Sequence, residues 1–298
     1  MGTYEDKLYA IPLSVNVRSL LTRRDYWQGD SWTVEDILSV LEESNEIEGL
    51  FVDIGGVDEY FYNMYFMIGM DIMRSPFMKD GNSGFDCQEF RELLVTIKNM
   101  THNAYNNSRP DDRMLPLTDG NYLGTECLIT TMKGFCNIFE KMGENANLVG
   151  YPSDMGSSHY LQEAGMLVVN QNAMGKEGVR ELVNDLLGLE SQKHVGYAIS
   201  VRKDIPEAQL IYDKSSNAYI WTASAGNGFL LPAKADGSSY LEEYMQLLLN
   251  AEPASFASDE LFDMVMEEAN GYFSSDKSLD EVVDIIQNRV QLYLDERK

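Results

Sequence analysis

Two consecutive amphipathic helices at the C-terminus, residues 258–298, constrain this chain more than any other feature. Ser258 and Asp259 supply an N-cap with an acid in the first turn, and Leu261, Phe262, Val265, Met266 and Ala269 then recur at i, i+3, i+4 spacing. Asn270-Gly271 is the expected stop of this helix. A second start follows where Ser278 and Glu281 spell an S-x-x-E capping box, ahead of an apolar stripe of Leu279, Val282, Val283, Ile286, Val290 and Leu294.

At 298 residues the chain can bury a sizeable core, as one large domain or as two lobes. Apolar residues make up 44% and charged residues 24%, which is the balance of an ordinary globular protein rather than a disordered one. The net charge of -25 opposes binding to nucleic acid or to an anionic membrane surface, since both need an excess of Lys and Arg. Cys87, Cys127 and Cys136 are odd in number and lack C-x-x-C spacing, so they are expected as small buried hydrophobes rather than as a disulfide framework or zinc site. No apolar run approaches the ~18 residues of a spanning helix, and the T-Y-E-D-K that follows Met1-Gly2 is not a signal peptide.

Strand and helix signals alternate along the rest of the chain, which predicts an α/β architecture. K-L-Y-A-I-P at 7–12 is a short strand ended by proline and entering a crossover. Ser31-Trp32-Thr33 caps an amphipathic helix, V-E-D-I-L-S-V-L. Residues 50–54 form a buried strand that leads into Gly55-Gly56 and the aromatics Tyr60, Phe61, Tyr62, Tyr65 and Phe66. A helix over 85–100 has Phe90, Leu93, Leu94 and Ile97 on one face. The span 123–142 is expected as a helix punctuated by glycine, with a break near Gly134, followed by strands over 148–152 and 164–170. Helix 176–194 places Val179, Leu182, Val183, Leu186 and Leu187 inside, and 233–239 is the one linker-like stretch.

Signals for catalysis are sparse. His102, His159 and His194 lack metal-ligand spacing, G-x-S-x-G is absent, and Gly55-Gly56 has neither a dinucleotide fingerprint nor a P-loop Lys. Nothing among the 48 acids marks out one pair of carboxylates. K-D-G-N-S-G-F-D-C-Q-E-F at 79–90 fails as a calcium loop, because Lys79, Gly81, Ser83 and Phe90 would fall on ligand positions; a turn followed by a helix start fits instead. The aromatic group is more suggestive. Sugars offer C–H faces to aromatic rings and hydroxyls to Asp, Asn and Glu, so Tyr60, Phe61, Tyr62 and Tyr65 beside Asp53, Asp58 and Glu59 at a strand end make a chemically sensible carbohydrate wall. Tyr62, Tyr65 and Phe66 equally fit the core face of a helix, and Trp221 and Phe262 carry the same ambiguity.

Several strings taken in order resemble one family. They are K-L-Y-A-I-P, S-W-T-V-E-D-I, F-D-C-Q-E-F-R-E-L-L, Leu148-Val149-Gly150-Tyr151-Pro152, G-K-E-G-V-R-E-L-V-N-D-L-L-G-L-E-S-Q, and above all the tail from D-E-L-F-D-M-V-M-E-E-A-N-G to L-Y-L-D-E. Their order is similar to that of the carbohydrate-class extracellular solute-binding proteins of ABC importers (family 1, maltose-binding-protein-like), read from the first hinge crossover onward. The resemblance departs at Gly178-Val179, where the family has Ala-Trp, and at the polar S-D-M-G-S-S-H loop.

The resemblance implies a type II periplasmic-binding-protein-like α/β fold with the second lobe largely complete and the first partial, its upstream part and export signal lying outside this chain. It implies a hinge crossover strand at 1–12, lobe 2 at 13–195, a segment returning to lobe 1 at 196–257 and the helical tail at 258–298, with lobes closing about hinges near 10–13 and 195–200. The implied ligand is a mono- or oligosaccharide, touched by Tyr60, Phe61, Tyr62, Phe135, Tyr151, Asp154, Trp221 and Phe262. No catalysis and no cofactor are expected. The implied partner is an ABC permease, and the implied setting is extracellular, on a lipoprotein anchor. Two other classes stay open: an interaction domain with inward-packed aromatics, and a glycoside-active enzyme with two carboxylates roughly 5 to 10 Å apart.

Overall fold

A computed structural model describes residues 3–4, 7–8, 10–52, 58–100, 115–119, 121–154, 159–173, 175–193, 198–202, 204, 210–213, 218–221, 229–231, 240–253 and 259–297. In chain order its principal strands are β1 (Ala10–Arg23), β2 (Gly49–Phe51), β3 (Tyr122–Ile129), β4 (Ala146–Leu148), β5 (Tyr160–Val168), β6 (Ile199–Ser200), β7 (Leu210–Asp213), β8 (Ala218–Trp221), β9 (Phe229–Leu231) and β10 (Glu252–Pro253). The principal helices are α1 (Val34–Glu43), α2 (Glu59–Met64), α3 (Gln88–Met100), α4 (Met132–Met142), α5 (Glu177–Leu186), α6 (Leu241–Asn250), α7 (Asp259–Phe273) and α8 (Leu279–Asp295). None of the described helices is long and apolar enough to cross a membrane.

The chain passes repeatedly between two compact units: residues 1–18, 128–143 and 160–253 form the first, and residues 19–127, 144–159 and 254–298 the second. Residues 13–195 contribute to both units. The 233–239 linker lies outside the described residues.

In the second unit β2 runs parallel to β3, pairing Gly49 with Tyr122 and Phe51 with Gly124, and β4 runs antiparallel to β1 with Leu21 opposite Leu148. Helices cover this sheet. Thr33 caps α1 in a reciprocal box with Asp36, and the Trp32 side chain, 1% exposed, donates from Nε1 to the Gly150 carbonyl at 2.9 Å. The expected face of α3, Phe90, Leu93, Leu94 and Ile97, is fully buried. The rejected calcium loop is a hairpin, Met78–Lys79 with Asn82–Ser83, whose turn residues Asp80 and Gly81 have φ of 52° and 72°. Asp-Gly tolerates that left-handed pair, and α3 then starts at Gln88.

The tail forms as its periodicity predicts. Ser278 accepts from the Glu281 N–H, and Val282, Val283, Ile286 and Val290 are fully buried. Glu268 on α7 pairs with Lys277 and Arg289, and the Lys277 ammonium is the main cause that holds its carboxyl below the usual range despite partial burial. The expected stop at Asn270-Gly271 is not observed, because α7 continues to Phe273. An interior glycine costs about 1 kcal/mol, and Phe273 offsets that by stacking on Tyr60 with centroids 4.5 Å apart.

In the first unit β5 pairs antiparallel with β1, Ala10 opposite Val168 through Arg18 opposite Tyr160, and β10 adds in parallel to β5. The strand expected to end at Pro12 instead continues to Arg23, with the register shifting around Pro12 and Ser14. Proline lacks a ladder donor and is tolerated at such an irregularity. The helix expected over 123–142 is a strand to Ile129 followed by α4, which Thr131 caps through the Gly134 N–H. The run Y-L-G-T-E-C-L-I has no helical period, and sheet pairing decides it. The expected helix at 176–194 divides at Gly188 into α5 and a short turn of helix over Leu189–Gln192; α5 has no buried residue, whereas Gln192 is 1% exposed. His194 lies outside the described residues.

Candidate functional site

Parallel strands leave their C-terminal ends as the natural place for a ligand, since the loops and helix starts that follow all lie there. In the second unit those ends belong to β2 and β3, where the Val52 N–H donates to the Gly124 carbonyl at 3.0 Å. Residues 53–57 after β2, including Asp53, lie outside the described part. The chain then enters α2 at Asp58, whose carboxylate accepts from the Tyr60 and Phe61 N–H groups at 2.9 and 3.4 Å. Asp58 therefore acts as a helix cap.

After Met64 the helix widens into a π turn over Tyr65–Gly69, closed by the Met70 N–H on the Tyr65 carbonyl at 3.1 Å. Such turns occur often at functional sites because they re-aim neighbouring side chains. Gly69 is required here, as a Cβ would come within 2.7 Å of the Phe262 ring. That close approach lets Phe262 meet Phe61 and Tyr65 edge-on, at 5.3 and 5.5 Å between centroids. Tyr62 meets Phe66 at 4.3 Å, and Phe66 in turn meets Tyr151 at 5.9 Å and Phe51 at 5.4 Å. Tyr60, Phe61 and Tyr62 are half-buried and keep part of their surface open, held from behind by buried rings.

The eight residues expected at the ligand thus separate. Tyr60, Phe61, Tyr62, Tyr151, Asp154 and Phe262 belong to the second unit, and Phe135 and Trp221 to the first. Tyr151 and Phe262, at 2% and 3% exposed, are core rings that pack on Phe66 and on Phe61 and Tyr65 respectively. Phe135 is 1% exposed and packs on Phe139 and Tyr244, so its ring is core. Asp154 is exposed in the turn after Tyr151. Trp221 pairs with Leu210 and Phe229 across β8, and its side chain lies outside the described part.

One residue that the sequence reading passed over joins this group. Glu126, half-buried in the middle of β3, accepts a hydrogen bond at 2.6 Å from the hydroxyl of the buried Tyr151. It escaped notice because 123–142 was expected as one helix. The available signal was its status as the lone charged residue in the apolar run Tyr122–Ile129.

A second polar pair is shut away. Ser19 Oγ and His159 Nδ1 lie 2.9 Å apart, with Ser19 0% and His159 7% exposed, and burial pushes the imidazole pKa down to about 4. The hydroxyl has no surface from which to reach a substrate, so this serine and histidine form a core contact. Among the described residues no group of three or more His, Cys, Asp or Glu could hold a metal ion.

No protein-family model matches the chain, and no curated protein matches it by sequence. Solved structures do. The sugar-binding protein MalE from Xanthomonas citri superposes with a TM-score of 0.55 at 15% identity, over 99% of this chain and 73% of its own. This chain has the fold of the ABC-transporter solute-binding proteins. A solute-binding protein from Thermotoga lettingae TMO, bound with α-D-tagatose, gives a TM-score of 0.52 at 13% identity, over 98% and 74%. The extracellular solute-binding protein from Staphylococcus aureus, in complex with maltose, gives 0.51 at 13%, over 99% and 73%. The solute-binding fold thus extends over nearly all of this chain, which spans about three quarters of each of these neighbours.

Proposed function

We propose that this chain binds a carbohydrate without catalysis, as the substrate-binding component of an ABC importer. The observation that carries the reading is the solute-binding fold, shared with sugar-binding neighbours over nearly the whole chain. The residue types support it chemically, because half-buried Tyr60, Phe61 and Tyr62 offer aromatic surface suited to sugar C–H groups, and the same unit carries the exposed Asp154 for sugar hydroxyls. An interaction domain with inward-packed aromatics is the second reading, since Tyr60 stacks on Phe273 and Tyr62 packs on Phe66 with its hydroxyl buried, while all three residues remain half-buried.

On this reading a mono- or oligosaccharide is captured outside the cell and passed to a membrane permease, with the protein held at the surface by a lipid anchor. A thermal-shift screen of the chain against mono- and oligosaccharides tests the binding step. Ligand that binds only the native state must raise the melting temperature, by about 2.7 kcal/mol of added stability at a hundredfold excess over Kd. A saturable rise with one sugar class is the expected result. A flat response across the panel counts against the reading.

A further inference from the structure

We propose that the groove between α1, α3 and the start of α8 is a docking site for a cationic amphipathic helix of a protein partner. The inference is independent of the carbohydrate reading. Gln88, Glu92, Val95 and Asn99 of α3 line the groove, a spacing of three to four residues on the side of the helix away from Phe90, Leu93, Leu94 and Ile97. At 1.5 Å per residue that face is about 17 Å long. Leu38, Leu41 and Glu42 of α1 and Leu279 of α8 complete the walls, around a volume of about 590 Å³. A long groove between helices that offers apolar Leu38, Leu41 and Val95 takes a further helix by interdigitation of side chains.

The charge of the guest follows from which acids the fold already uses. Asp280 is used: it lies in the first turn of α8, at the positive end of that helix, and pairs with Arg91. Arg91, the one cation among the described residues that line the groove, is also held by Asp86 at 2.8 Å. Glu42 and Glu92 are different. Among the described residues neither is in an ion pair, and Glu92 accepts only from Gln88 on its own helix, at 2.8 Å. Glu42 stands with Glu43 in the last turn of α1, which has no basic residue, so both acids oppose the negative end of the helix. A Lys or Arg carried in by a guest relieves that opposition at Glu42 and pairs with Glu92 on the facing wall. A second copy of this chain suits the groove less well, since each copy has a net charge of -25 and brings like charge.

The test is calorimetric titration of the full chain with two peptides of about 14 residues, one an amphipathic helix of Leu and Lys, the other the same pattern in Leu and Glu. The wild type should bind the Leu/Lys peptide saturably and reject the Leu/Glu peptide. Glu42→Lys should weaken binding roughly fivefold, and the double variant with Glu92→Lys well over about tenfold. Leu41→Ser keeps the charge and should still weaken binding roughly fivefold, through lost apolar contact. Glu181→Lys makes the same charge change on an exposed position of the first unit and should leave Kd within about twofold. Amide hydrogen exchange on the wild type gives a readout that depends on no variant: the peptide should slow exchange in α1 and α3. Equal losses from Glu42→Lys and Glu181→Lys would trace the attraction to net charge and overturn the inference. So would binding of the Leu/Glu peptide, no binding of the Leu/Lys peptide, or protection confined to other helices. Self-association in sedimentation that Leu41→Ser abolishes would give the groove to a second copy and overturn it too. No arm reads sugar affinity, so failure here leaves the carbohydrate reading standing.

Discussion

Helices α5 and α8 carry the same kind of sequence pattern and meet opposite fates. In α8 the central four of the stripe, Val282, Val283, Ile286 and Val290, are fully buried in the second unit, and its end members Leu279 and Leu294 are half-buried. In α5 the stripe Val179, Leu182, Val183 and Leu186 has no buried member, and Leu182 is 52% exposed. Periodicity states which face of a helix needs cover, whereas burial requires partners from distant parts of the chain. The two helices thus separate a local property from a tertiary one. The cap follows the same division, since Ser278 closes the start of α8 through its hydroxyl, while Lys176 before α5 has no side chain that could do so.

The largest effect that could break this contrast is truncation in the α8 stripe. Ile286 is 0% exposed, and Ile286→Ala should cost about 3–4 kcal/mol from lost transfer energy and the cavity left behind. Urea unfolding followed by circular dichroism measures it through the shift in midpoint at constant slope. A loss below about 1 kcal/mol would show that the tail is not the load-carrying face that its burial indicates.

The second effect sharpens the comparison by pH. His159, in the same unit as α8, has its pKa pushed down to about 4 by burial, against ~6.5 in an unfolded chain. Above about pH 6.5 the ring is neutral in both states, and its contribution is fully present. As the pH falls from 6.5 toward 4, the unfolded chain binds a proton that the native ring resists, so about 3 kcal/mol of stability is lost across that window. His159→Asn keeps an acceptor for Ser19 and removes the titration. It should therefore lose less stability than the wild type between pH 7 and 4, and parallel curves would disprove the assignment.

What was legible in the sequence follows the same line. The capped, strongly periodic helices α1, α3 and α8 were readable because cap, stripe and length agree locally. The strand Tyr122–Ile129 was not, because an apolar run with two glycines nearby suits helix or strand until its parallel partner β2 decides. Once that span was misread, Glu126 could not be placed. Within the site, Tyr60, Phe61 and Tyr62 come from one local run, so their neighbourhood is readable from the sequence, and they are half-buried in the fold. Tyr151, Phe135 and Phe262 are buried and meet Glu126, Tyr244 and the π turn respectively, contacts that only the fold creates.

The smallest predicted effect completes the contrast. Leu182 looks from its spacing as indispensable as Ile286, and a purely local reading assigns the two similar weight. With half its surface in water, it has little burial left to lose, so Leu182→Ala should change stability by no more than about 0.5 kcal/mol, helped by alanine's higher helix propensity. The same urea titration reads it out beside Ile286→Ala. Near-equal losses at the two positions would mean that α5 has a packed partner in solution, and that amphipathicity alone had been the better guide. A difference of about 3 kcal/mol would mean that the weight of an apolar stripe is set by what covers it.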